Sequence, residues 1–140
     1  MARVLRVSPS GTLPDPALRA AVVLTFARER VAQAERWRIA RWIAATGCAA
    51  TIHWGFEAAA WEDEVDWALV LPPDLGGVSD GKVPSCVTCQ VGFDLGEAGV
   101  LLSLMQEDAK RTGEIGETLI LDIGIGDHAR EIAAVLAPPA

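Results

Sequence analysis

Cys86-Val87-Thr88-Cys89 has the two-residue spacing of a zinc half-site or a thiol redox pair, and Cys48 and His53 carry donors that would complete a tetrahedral Cys3His set. A strand running from Cys86 to Asp94 works against that chemistry. Positions 86 and 89 differ by an odd number, and successive strand residues point to opposite faces. Cys48 and His53, five apart, meet the same parity on a second strand. Redox pairs of this spacing sit at a helix N-terminus, which stabilises the thiolate, and no helix start is encoded nearby. Small core cysteines are therefore expected, with no metal site. A small enzyme or a zinc or thiol site centred on Cys86 and Cys89 is the alternative.

The string Leu119-Ile120-Leu121-Asp122-Ile123-Gly124-Ile125-Gly126-Asp127-His128-Ala129 sets a strand, two glycines and a helix start in succession. It resembles the first motif of class I methyltransferases and fits the Gly-x-Gly-x-x-Ala form of the dinucleotide fingerprint, which implies a nucleotide phosphate at the helix N-terminus. That fingerprint opens a βαβ unit of about 30 residues, whereas eleven residues follow Ala129. Asp127, at the N-cap position, would also satisfy the amides that a phosphate needs and repel it. The string reads as a tight strand-to-helix turn, and no cofactor is expected. Neither His53 nor His128 sits in a nucleophile-elbow pattern with a Cys or Ser, so no catalytic residue is assigned.

Arg36-Trp37-Arg38-Ile39-Ala40-Arg41-Trp42 interleaves guanidinium and indole groups, the chemistry that holds phosphates and stacks bases. A net charge of −7 and a pI near 4.7 oppose a nucleic-acid role. These arginines are expected to pair with acids of the second half of the chain or with Glu35, leaving Trp37 and Trp42 part core and part cover. The segment from Gly55 to Trp67 joins Trp61 and Trp67 to Glu57, Glu62, Asp63, Glu64 and Asp66. Tryptophan dominates interface energetics and carboxylates steer basic partners, so these seven residues, if exposed, form a docking surface for an Arg/Lys-rich protein. If packed instead, Trp67 begins a core strand, Trp61 caps the core and the acids are a solvated face.

Charge along the chain supports an interaction role over a chemical one. Residues 1–55 hold eight Arg and three acids, net +5; residues 56–140 hold four Lys/Arg and sixteen acids, net −12. The 140 residues, 51% hydrophobic and 22% charged, suit one domain spanning 1–140 with a core of its own. The longest apolar run, Ala20 to Ala27, is too short to span a membrane, and nothing at the start reads as a signal peptide. A soluble, cytoplasmic protein is expected, and its Arg- and Ala-rich composition suggests a bacterial one.

The elements that must position these residues read as a strand over 4–7, a helix over 16–46 with a break near 28–31, and strands over 49–54, 66–71 and 86–94. A Pro/Gly-rich loop follows over 72–85, with a helix over 98–111, a strand over 118–123 and a helix over 127–137. That order gives an α+β fold, a ferredoxin-like βαββαβ sandwich with an extra strand and a C-terminal helix. The function expected is a small protein-binding domain, of the inhibitor or immunity-protein kind, docking a basic partner through the acidic tryptophan segment and the 72–85 loop. No nucleic-acid or membrane partner is expected. Pairing of the Arg-rich helix with the acidic surface, giving a homodimer, is the remaining alternative.

Overall fold

In the computed structural model, which describes residues 2–8, 11–15, 19–114, 116–124 and 128–137, five strands form one sheet. They are β1 (Ala2–Val7), β2 (Ala20–Ala27), β3 (Ala50–Gly55), β4 (Val87–Gly92) and β5 (Glu117–Ile123). The helices are α1 (Gln33–Ala45), α2 (Ala58–Val70), α3 (Leu95–Thr112) and α4 (Ala129–Leu136), with a 3-10 turn at Pro73–Leu75. Every residue of β2 and β3 is buried, as is every residue of β5 after Glu117. Strands buried on both faces lose polar alternation and read as continuous apolar runs, the signature of a parallel sheet covered by helices.

The strand order is β1-β5-β2-β3-β4, and all four neighbouring pairs are parallel. Register places Leu24 beside Ile120 and Ile52, and Phe26 beside Trp54. Those side chains join Leu102, Ile132 and Val135 of α3 and α4 in one core. The odd-numbered β2 residues Val23 and Ala27, with Leu119 and Leu121, face the opposite core, made with Ile39 and Ile43 of α1 and Trp61 and Val65 of α2. The sheet is therefore a middle layer, with α1 and α2 on one side and α3 and α4 on the other.

The chain is mixed α/β, but the ferredoxin-like arrangement does not hold. That sandwich needs antiparallel neighbours, whereas a helix intervenes between each successive pair of strands from β2 to β5, as parallel neighbours require. Two element assignments change with it. The expected helix over 16–46 is β2 followed by α1, with the break at 28–31 in the right place but a strand before it. Val22, Val23 and Thr25 are β-branched and buried from both sides, which favours the extended form. The expected strand over 66–71 is the second half of α2, whose buried residues Ala58, Trp61, Val65 and Ala68 recur at helical spacing. The strands expected over 49–54, 86–94 and 118–123 and the helix over 98–111 are present with small shifts of boundary. Pro16, Gly126, Asp127 and the Pro138-Pro139 stop lie outside the described residues.

A single close approach turns β3 into α2. A Cβ on Gly55 would lie 1.9 Å from the Ala27 carbonyl oxygen, and the glycine φ is +106°, so only glycine fits. Phe56 N–H then donates to that same carbonyl at 2.6 Å. The next residue, Glu57, takes the left-handed conformation with φ of 56° and serves as the N-cap position of α2. Among the described residues no helix is long and apolar enough to cross a membrane.

Candidate docking surface

Helix α2 carries the acidic tryptophan segment, and its periodicity divides the seven residues into two groups. Trp61 lies on the core stripe and is 1% exposed, so it packs against the sheet and contacts no partner. Trp67 lies off that stripe and is 58% exposed. Glu57 and Glu64 are bound within the chain by Arg36 of α1. Its Nη1 donates to Glu57 Oε2 at 2.5 Å and its Nε to Glu64 Oε2 at 2.5 Å, with the arginine side chain only 11% exposed. Arg30 Nε reaches the other Glu57 oxygen at 3.2 Å. These contacts brace the strained N-cap and lock α1 to α2.

Glu62, Asp63 and Asp66 remain as an acidic cluster with carboxylate oxygens within 4.8 Å of one another. Burial, then the charges of Asp66 and Asp63, push the Glu62 carboxyl upward. Asp66 accepts a hydrogen bond from Thr88 Oγ1 at 2.7 Å, which ties α2 to β4. The segregated charge thus closes largely on itself: Arg6 pairs with Asp122 at 2.9 Å and Arg28 with Glu131 at 3.0 Å, besides the Arg30 and Arg36 contacts. Arg38 binds Glu35 at 2.8 Å, as the sequence suggests.

Between α1 and α2 lies a groove of 460 Å³ lined by Gln33, Ala34, Trp37, Glu64, Trp67 and Leu71. Trp37 is half-buried and Trp42 buried, its Nε1 donating to the Pro14 carbonyl at 2.7 Å, so the two indoles are cover and core respectively. Other exposed large apolar side chains are Val70 on α2 and Leu75, Val78 and Val83 on the Pro/Gly-rich segment, with Val83 93% exposed, whereas Val87 shares the strand parity of Cys89 and Val91 and so faces the α3/α4 side. Sequence reasoning placed this loop at the surface but missed Trp37, Val70, Leu71 and the loop valines. The α2 periodicity was the available signal, since it sends Trp67 and Leu71 away from the Trp61 face.

The other sequence candidates are dispersed. Cys86 packs against the α1/α2 core and Cys89 against the α3/α4 core, as strand parity requires, so the pair centres no common site. His53 is wholly buried, with Nδ1 2.7 Å from Thr25 Oγ1 and Nε2 3.0 Å from Thr51 Oγ1, and burial pulls its pKa down to about 3. His128 Nδ1 lies 2.5 Å from Asp122 Oδ1. That pair sits where β5 and β2 adjoin and their following helices leave to opposite faces, the switch point at which α/β sheets commonly bind ligands. Here the position is filled by Arg6 on Asp122, by Phe26 stacked on Trp54 at 4.0 Å, and by the Arg28 guanidinium 5.7 Å above the Trp54 ring.

A family model described as "Domain of unknown function (DUF7684)" matches residues 2–139. Comparison with the curated proteins and with the solved structures found no match. With all but the two end residues covered by that model, the chain belongs to the DUF7684 family.

Proposed function

We propose that this protein is a protein-binding domain that docks a basic segment of its partner over the α1–α2 groove, the acidic face of α2 and the adjoining 72–85 loop. The observation that carries the reading is Trp67, which is 58% exposed and lines that groove with Trp37 and Leu71, with the exposed Val70 beside it on α2. An exposed tryptophan lining a groove with a polar rim is the residue type that anchors interaction sites. Charge selects the partner. Residues 57–85 carry seven acids and one base, Lys82. With Glu57 and Glu64 committed to Arg36, the remaining carboxylates include Glu62, Asp63, Asp66, Asp74 and Asp80. Such a rim speeds encounter with an Arg/Lys-bearing surface and disfavours acidic ones. An inhibitor that covers a basic active site is the form of activity this chemistry suits.

The test is site-directed photo-crosslinking in the cells that make the protein. A benzophenone side chain replacing Trp67 is expected to give a discrete adduct with one basic protein, weakened by salt. The same group replacing Leu104, an exposed apolar residue of α3, serves as control and gives none. Absence of an adduct at 67, or identical adducts at both positions, refutes the reading.

A further inference from the structure

Parity sends Cys86 and Cys89 to opposite faces, but the parallel pairing of β3 with β4 brings Cys86 to a different cysteine. Cys48 lies two residues before the start of β3, and Cys86 immediately precedes β4. The Val87 N–H donates to the Ala49 carbonyl at 2.9 Å and fixes the two backbones side by side. Their Sγ atoms lie 3.9 Å apart, in contact as free thiols. We propose that Cys48 and Cys86 are an oxidisable dithiol that a hydroperoxide converts into a disulfide, with Cys89 left as a thiol.

The surroundings assign the roles. Cys48 is buried, and the hydrogen bond it shares with Cys86 lowers its pKa, while that hydrogen bond and burial raise that of Cys86. The thiolate is the nucleophile in such reactions. Cys48 sulfur attacks one peroxide oxygen, the O–O bond breaks, and the departing hydroxide takes a proton and leaves as water. Cys86 sulfur then attacks the Cys48 sulfenic sulfur; the S–S bond forms, the S–O bond breaks, and the Cys86 proton leaves in a second water. With hydrogen peroxide as the hydroperoxide, two thiols and one peroxide give one disulfide and two waters. Reaching a bond of about 2.05 Å requires side-chain rotation and a small closure of the strand ends. Cys86 is half-buried and adjoins the Pro/Gly-rich segment, so the bond would tie the end of that segment to the α1–β3 turn. Cys89, whose Sγ lies 3.6 Å from the Thr51 carbonyl on the other face, has no thiol within reach.

The full chain, treated with hydrogen peroxide, is assayed by thiol titration after denaturation and by intact mass. Wild type is expected to fall from three titratable thiols to one, losing the mass of two hydrogens and remaining a monomer in mass. Cys89→Ser is expected to lose both its thiols and two hydrogens in mass, and Cys86→Ser to lose no hydrogens, its Cys48 at most gaining oxygen. Because Cys48 is buried and Cys48→Ser is the variant at risk of misfolding, the half-buried Cys86 carries the decision. A disulfide in Cys86→Ser, retention of both thiols in Cys89→Ser, a covalent dimer, or a gain of oxygen in place of the loss of hydrogen in wild type overturns the assignment.

Discussion

Lowering the pH should weaken this protein through one residue in the middle of the sheet. His53 is buried on β3, held between Thr25 and Thr51, with a folded pKa of about 3 against an ordinary value of 6.5. Well above pH 6.5 the imidazole is neutral in both states and contributes no pH dependence. Below it the unfolded chain takes up a proton that the folded chain refuses, so stability falls as pH falls, with a limiting slope of about 1.36 kcal/mol per pH unit. Between pH 7 and pH 5 the unfolded histidine goes from roughly one quarter protonated to nearly full, and the integrated loss is about 2 kcal/mol. The assay is urea denaturation followed by tryptophan fluorescence at pH 7, 6 and 5, on wild type and His53→Gln. Any constant cost of the substitution cancels in the pH dependence, and His128 is common to both chains. The wild type is expected to lose about 2 kcal/mol more than His53→Gln over this interval. Parallel curves for the two would refute the claim that His53 stays neutral inside the fold.

Arg36→Ala removes the shared partner of Glu57 and Glu64 and leaves both carboxylates at a half-buried helix junction, so a loss of about 3 kcal/mol is expected in urea. Arg38→Ala, which breaks a more exposed pair with Glu35, should cost less than about 1 kcal/mol by the same measurement. The two tryptophans of α2 should separate stability from binding. Trp67→Ser is expected to leave the unfolding midpoint within about 0.5 kcal/mol of wild type while abolishing retention of the crosslinked partner in a pull-down. Trp61→Ser should destabilise by about 3–5 kcal/mol in the same unfolding titration. For charge reversal, Asp63→Lys reports on docking better than Glu64→Lys, because Glu64 is held by Arg36 and its reversal would disrupt the fold.

The sequence by itself determined whatever depends on local periodicity, parity and chain punctuation. Four strands, those over 4–7, 49–54, 86–94 and 118–123, are legible because alternation or an apolar run is bounded by Gly, Pro or acidic turns. The separation of Cys86 from Cys89 follows from strand parity, the pairing of Arg36 with acids of the second part follows from the division of charge, and that of Arg38 with Glu35 from their i,i+3 spacing. The 72–85 segment is legible as surface because six of its residues are Pro or Gly. Tertiary structure decided what periodicity leaves degenerate. Ala20–Ala27 has no polar side in either reading, and only its burial between two helical layers makes it a strand. Once that segment is extended, every connection from β2 onward carries a helix and the sheet becomes parallel. Trp61 then faces the core and Trp67 the solvent, although both stand in one acidic stretch. Pairing of β3 with β4 brings Cys48 to Cys86 across 38 residues of chain, a contact no local pattern records because sequence spacing says nothing about which strands become neighbours.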